Sequence, residues 1–218
     1  MKNQVLFGLL ILIISCTKEN NIKQSFGLKK ERYDYYENFL SKNVEKRDIE
    51  VWLPGGYDQA QSLPVLYMFD GQNIYHGIKG WDKKQYNHGW QVDETLDSLF
   101  SKGNIPKMIV VGVHNIGKKR YSEYTPAKPK SLIKKRMSNA DIWFRDVYDK
   151  HDITSDKFLK FLVEELKPFI DKNYKTDSGR NSTFLAGSSM GGLISAYAIC
   201  EYPNIFGGAA CISTHWPV

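Results

Sequence analysis

The sequence predicts an α/β fold with a mostly parallel sheet, on three observations. First, the apolar runs at residues 63–69 and 108–113 have the composition of strands that are buried on both faces. Second, segments with helical spacing of apolar residues separate such runs, as the crossovers between parallel strands require. Third, a strand, a sharp turn and a helix follow one another around Ser189. A chain of 218 residues is long enough for one domain with a sizeable core.

The first half of the chain begins with two predicted strands, residues 35–40 and 47–53, joined by a polar turn. Ile49, Val51 and Leu53 alternate with polar or amphipathic neighbours, so the second strand has one apolar face. The Pro-Gly-Gly sequence that follows ends this strand.

Helices and further strands are predicted in the rest of the chain. Residues 92–100 have apolar side chains on one helical face. A longer amphipathic helix begins at Ser155, the predicted N-cap, and Pro168 is a position where this helix can kink. One more strand is predicted at residues 208–212.

The pattern Gly-x-Ser-x-Gly spans residues 187–191, with a predicted strand before it and a predicted helix after it. A strand that turns sharply into a helix strains the residue at its centre, and glycines two positions to either side let the chain turn without clashes. The pattern has two interpretations, a tight turn rich in Gly and Ser or a nucleophile elbow. The flanking strand and helix favour the elbow, with Ser189 as the nucleophile and a helix N-terminus behind it.

Polar residues follow four of the predicted strands. Ligands of parallel α/β sheets bind at the carboxyl ends of the strands, so these residues should share one binding edge. The predicted pocket residues at this edge are Asn73, His114, Asn115, Ser188 and His215.

Residues 117–152 form a long polar stretch that is rich in aromatic side chains. A long loop beside a binding edge is often functional. This one either covers the pocket or is a surface excursion whose aromatic residues pack on the body of the domain.

Charge and spacing exclude some classes of partner. The formal net charge of +6 comes from scattered lysines and arginines, so nucleic acid is not a predicted partner. No pair of His or Cys residues has zinc-like spacing, so neither a metal nor another cofactor is predicted.

The N-terminus has the pattern of a secretory signal. Lys2 precedes an apolar segment, residues 5–14, that is too short to span a membrane. Residues 13–16 resemble a bacterial lipobox, in which the cysteine, here Cys16, becomes lipid-modified. We therefore predict that the protein is exported and anchored to a membrane of the bacterial cell envelope. The predicted signal spans residues 1–15, and a polar tether spans residues 16–30. The alternative is an ordinary signal cleaved nearby, with Cys16 incidental.

Two cysteines remain in the predicted mature chain, Cys200 and Cys211. Export to an oxidising compartment would permit a disulfide between them. Two buried thiols are the favoured interpretation.

The sequence resembles the esterase D-like branch of the α/β-hydrolases. The motifs that carry the resemblance are LPVLYMFDGQNIY at 63–75, VVGVHN at 110–115 with Arg120 and the EYTP sequence after it, and GSSMGG at 187–192. It implies a three-layer α/β-hydrolase fold over residues 31–218 and hydrolysis of a small-molecule or glycan-linked ester through an acyl-enzyme. It also implies Ser189 as nucleophile, with an oxyanion hole formed by the backbone N–H groups of Met190 and of Gly71 or Gln72.

The sequence departs from that family's pattern after the nucleophile. In α/β-hydrolases the triad acid and then the histidine follow the serine. Only one predicted strand, residues 208–212, follows the elbow helix, so we expect the C-terminal strands, the acid and the base to lie beyond residue 218. This chain alone should then be inactive or weak. His215 is open to three interpretations, as the base, as a pocket wall or as a structural histidine, and Asp93 is interpreted as surface charge.

Two other functions stay open at this point. One is a non-catalytic ligand-binding lipoprotein, and the other is an acyltransferase to a cell-envelope sugar. The oligomeric state is not predicted.

Overall fold

Seven strands form a single sheet in a computed structural model that describes residues 24–26, 32–59, 62–75, 89–128 and 152–216. The strands are β1 (Gln24–Phe26), β2 (Arg32–Phe39), β3 (Arg47–Leu53), β4 (Val65–Phe69), β5 (Ile109–Val113), β6 (Thr183–Ser188) and β7 (Gly208–Ile212). The helices are α1 (Val92–Ser101), α2 (Arg120–Tyr124), α3 (Ser155–Phe161), α4 (Lys167–Asn173) and α5 (Met190–Glu201). The predicted signal at 1–15 and Cys16 lie outside the described residues.

The order across the sheet is β1-β2-β3-β5-β4-β6-β7. Strands β5, β4, β6 and β7 are parallel neighbours, and β1, β2 and β3 extend the sheet in antiparallel fashion. The predicted α/β fold with a mostly parallel sheet is confirmed. Because Phe69 pairs with Val113 and Ser188 pairs with Ile212, the carboxyl ends of these strands meet at one edge.

Apolar side chains alternate between the two faces of the sheet, as the pleat requires. On β4, Tyr67 and Phe69 face a core shared with α3 and α5, while Met68 faces a second core. The second core lies under α1, where Trp52 stacks on Phe100 with ring centroids 6.0 Å apart. Helices therefore cover both faces, which gives the three layers.

The helix predicted from Ser155 has a different N-cap from the predicted one and contains a π-helical turn. Thr154 occupies the N-cap position, and Ser155 is the first helical residue with its side chain fully buried. A π-helical turn at Leu162–Leu166 precedes Pro168, the position at which a kink is predicted. Since Pro168 has no N–H to continue the α pattern, a wider turn before it fits the missing hydrogen bond.

The structure also differs from the sequence predictions at Asp93 and in residues 16–30. Asp93, interpreted as surface charge, is buried, and its carboxylate accepts a hydrogen bond from the Tyr33 hydroxyl because the first turn of α1 faces β2. Residues 16–30, predicted as a tether, contain strand β1, so the sheet extends into this segment. No helix among the described residues is long and apolar enough to cross a membrane.

The prediction that Cys200 and Cys211 are buried is wrong. Both are free and exposed. Among the described strands, β7 pairs with β6 alone. The last three residues of β7, including Cys211, are exposed.

Candidate active site

Ser189 is the junction between β6 and α5. Its backbone has φ 57° and ψ −119°, a conformation that costs a non-glycine residue on the order of 1–3 kcal/mol. Backbone hydrogen bonds hold it there: the Ser189 N–H donates to Ile212 O at 3.0 Å, and the Ser189 carbonyl accepts from Leu193 N at 3.1 Å. This is the geometry of an elbow that presents its central side chain at the sheet edge.

Met190 is the first residue of α5 and follows Ser189 directly. The first N–H groups of an α-helix have no acceptor within the helix. The Met190 N–H is among these groups, and the positive end of the α5 dipole lies at Ser189, the N-cap residue. Ser188, the last residue of β6, is half-buried.

The loop after β4 approaches the same edge and packs tightly on β5. Gly71 begins a 3-10 turn, Gly71–Asn73. A Cβ on Gly71 would lie 2.6 Å from the carbonyl carbon of Gly112 and 2.7 Å from Cδ2 of His114, so only glycine fits. This close packing of Gly71 on β5 fixes the positions of the Gly71 and Gln72 backbone N–H groups.

Asp70 connects this loop to its surroundings. Its carboxylate accepts hydrogen bonds from Arg120 Nε and Nη2, each at 2.7 Å, and from Asn115 Nδ2 at 2.7 Å. The Asn115 backbone N–H donates to Gln72 Oε1 at 3.2 Å. The side chain of Asn115, predicted to line a pocket, is thus engaged with the loop.

His114 and Asn73 lie at the same edge in different settings. His114 is buried, with Nε2 3.3 Å from Glu50 Oε1 and its backbone N–H bonded to Asp48 O at 3.2 Å. The Asn73 carbonyl accepts from the Trp90 N–H at 2.7 Å, which ties the loop to the chain just before α1.

His215 lies beside the elbow through its backbone. Its N–H donates to the Ser189 carbonyl at 3.1 Å, so the turn after β7 wraps against the strained residue. Within the described ranges, no group of three or more His, Cys, Asp or Glu residues is arranged to hold a metal ion.

The long stretch predicted as a loop contains a short helix at its start. Gly117–Lys119 form a 3-10 turn, and α2 follows. Tyr124 on α2 is buried against Phe69 and Phe158, with ring centroids 5.6 Å and 5.4 Å away. This aromatic residue packs on the body of the domain, while residues 129–151 lie outside the described part.

Sequence analysis missed a buried ion pair beneath the site. Arg47, at the start of β3, donates to both carboxylate oxygens of Glu123 on α2 at 3.0 Å and 2.7 Å. The Arg47 guanidinium also lies over the rings of Phe158 and Phe161, 5.0 Å and 5.1 Å from their centroids. The one sequence signal was that Glu123 belongs to the EYTP sequence, one of the motifs that carry the family resemblance.

Comparison with known proteins agrees with this geometry. A family model described as "Putative esterase" matches residues 42–217. Among curated proteins, the chain is 25% identical to the ferri-bacillibactin esterase BesA of Bacillus subtilis, over 81% of this chain and 57% of that protein. It is also 25% identical to the uncharacterized protein YbbA of the same organism, over 78% of this chain and 58% of that protein. The chain thus spans about half the length of the curated relatives it matches.

Among solved structures, an IroE-like serine hydrolase from Shewanella oneidensis is 27% identical, with a TM-score of 0.60, covering 84% of this chain and 50% of that one. A CE1 ferulic acid esterase from Anaeromyces mucronatus shares the fold at 24% identity and a TM-score of 0.56, covering 91% of this chain and 64% of that one.

Proposed function

This chain belongs to the esterase family whose model matches residues 42–217, and we propose that Ser189 is its nucleophile in carboxylic-ester hydrolysis. The observation that carries the proposal is the strained Ser189 backbone between β6 and α5. Such an elbow raises the serine side chain above the strand ends, where a substrate carbonyl can reach it.

The proposed chemistry follows from the groups around Ser189. A histidine takes the proton of the Ser189 hydroxyl, and the oxygen attacks the ester carbonyl. The negative charge that develops on the carbonyl oxygen is held by the N–H of Met190 and by that of Gly71 or Gln72. The alcohol then leaves, and water releases the acyl group from Ser189.

The substrate class is an ester of a small molecule or of a glycan. The support is that structural neighbours are named as ferulic acid and enterobactin esterases. The base in this proposal is either His215 or a histidine outside residues 1–218.

An activity-based probe tests the nucleophile. A fluorophosphonate should label Ser189 in the wild-type protein, Ser189→Ala should abolish labelling, and Ser188→Ala is the matched control that should keep it. Peptide mass spectrometry locates the adduct. Labelling that persists in Ser189→Ala would refute the proposal.

The same probe separates the two candidates for the base. If the base is a histidine outside residues 1–218, the protein of residues 17–218 should be labelled slowly, because an unassisted serine is a weak nucleophile. Rapid labelling of residues 17–218 that is lost in His215→Ala would assign the base to His215.

We also propose that Cys16 is lipid-modified and anchors the exported protein to a membrane of the cell envelope. The support is the lipobox-like sequence at residues 13–16 after a short apolar segment. Cys16→Ser should move the protein from the membrane fraction to the soluble fraction and abolish incorporation of labelled palmitate. A protein that stays in the membrane fraction without Cys16 would contradict the anchor.

A further inference from the structure

We propose that Asp70 and Arg120 are positioning residues that hold the loop after β4 in register with the elbow. This rests on the proposed function, because that loop supplies one donor of the proposed oxyanion hole. Neither side chain needs to touch the substrate for this role.

The backbone of Asp70 is in the left-handed region, at φ 61° and ψ 45°. This conformation is uncommon for a residue with a side chain and persists where surrounding contacts enforce it. The Asp70 carboxylate, 3% exposed, accepts the two Arg120 hydrogen bonds and the one from Asn115. These three bonds enforce the turn that aims the next two amides, those of Gly71 and Gln72.

The same carboxylate lies against the elbow helix. A Cβ placed on Gly191 would be 3.2 Å from Asp70 Oδ2 and 3.5 Å from Cβ of Phe69. Gly191 follows Met190, whose N–H is the other proposed donor. Both proposed donors are therefore positioned relative to one buried carboxylate.

Arg120 is itself held in place. Its guanidinium lies over the Tyr124 ring, 5.3 Å from the centroid, and the Asp70 N–H donates to the Tyr124 hydroxyl at 3.4 Å. Burial alone would lower the pKa of Arg120, but the hydrogen bonds and charge of Asp70 raise the pKa above its usual value. Arg120 therefore carries its positive charge at neutral pH. The planar guanidinium matches both oxygens of Asp70, which a lysine cannot do.

The expected effect is on the transition state more than on substrate binding. An oxyanion forms only after attack, so a displaced donor should lower kcat and leave KM nearly unchanged. Displacement of about 1 Å costs on the order of 100-fold in rate. We expect Arg120→Ala to lower kcat by about 10- to 100-fold and Arg120→Lys to recover part of that loss.

The experiment uses the product of the whole gene and a matched arginine. Arg32, at the start of β2, forms an ion pair with buried Asp34. Arg32 lies opposite Leu53, the last residue of β3, and so at the end of the sheet away from the elbow. The variants are Arg120→Ala, Arg120→Lys and the control Arg32→Ala. The readouts are p-nitrophenyl ester kinetics, fluorophosphonate labelling and amide hydrogen exchange of residues 70–75.

The outcomes separate this proposal from the proposed function. Faster exchange at residues 70–75 in Arg120→Ala, with no such change in Arg32→Ala, supports positioning whether or not the protein is active. The positioning role is overturned if Arg120→Ala leaves amide exchange at residues 70–75 unchanged. It is also overturned if an Arg120→Ala protein that takes the label has the kcat of the wild type. A wild type that takes no label refutes the proposed function alone. If Arg120→Ala does not fold, Arg120→Lys decides by the same two measurements.

Discussion

Gly187 and Gly191 lie in backbone contact across the elbow: a Cβ on Gly187 would be 2.8 Å from the Cα of Gly191 and closer still to its carbonyl group. The end of β6 therefore crosses the first turn of α5 with no room for a side chain. The strain at Ser189 and this close approach are two aspects of one turn.

Replacing Gly187 with alanine should destabilise the fold by at least about 1–3 kcal/mol, the usual cost of overpacking, because both contacting groups are backbone. Gly179→Ala is the matched control, since Gly179 has φ −68° and its nearest contact would be 3.4 Å away. Urea unfolding followed by circular dichroism measures both. A Gly187→Ala protein within about 0.5 kcal/mol of wild type would show that the elbow can relax.

Breaking the buried pair between Arg47 and Glu123 should cost about 3–5 kcal/mol, because the remaining charge has no solvent to compensate it. Glu123→Gln tests this, and Glu45→Gln, at an exposed partner of Lys119, is the control. The double variant Arg47→Met with Glu123→Leu should be more stable than Glu123→Gln, since it buries no charge. Equal stability of Glu123→Gln and Glu45→Gln in urea unfolding would contradict the assignment.

Cys211 should react slowly with thiol reagents at neutral pH. Although Cys211 is an exposed residue, desolvation by its surroundings raises the pKa of its thiol, and the neighbouring Cys200 raises it further. A higher pKa leaves less thiolate at a given pH, so the iodoacetamide rate at Cys211 should keep increasing above about pH 8.5, where a free cysteine is half ionised. Cys200→Ser should shift this profile to lower pH. A rate at Cys211 that levels off as in a free cysteine would oppose the prediction.

Strand β7 should promote self-association of residues 17–218 expressed alone. Ile212 is 49% exposed, and β7 has β6 as its one neighbour among the described strands. An unpaired apolar strand edge invites pairing with another chain. Ile212→Lys should reduce aggregation in light scattering, whereas Thr95→Lys adds the same charge on the exposed face of α1 and should not. A monodisperse wild-type monomer would show that this edge is protected.

Much of the fold could be predicted from local patterns. The bounds of β3 and β7 match the predicted strands to the residue, and α1 extends one residue past its prediction. These elements have clear apolar periodicity and clear turn residues at their ends. The start of the Ser155 helix was less predictable, because adjacent Thr154 and Ser155 are both good capping residues and packing of the buried Ser155 side chain decides between them.

Local patterns in the sequence predict the α/β class, most of the strands and helices and the position of the elbow at Ser189, because periodicity and glycine spacing act over a few residues. They do not predict strand β1 or the short helix α2. Which distant charges meet depends on the tertiary structure. Asp70 and Arg120 are 50 residues apart in the chain, and Arg47 and Glu123 are 76 residues apart. Their pairing depends on how strands and helices pack, since a buried charge is stable only where packing brings it a partner.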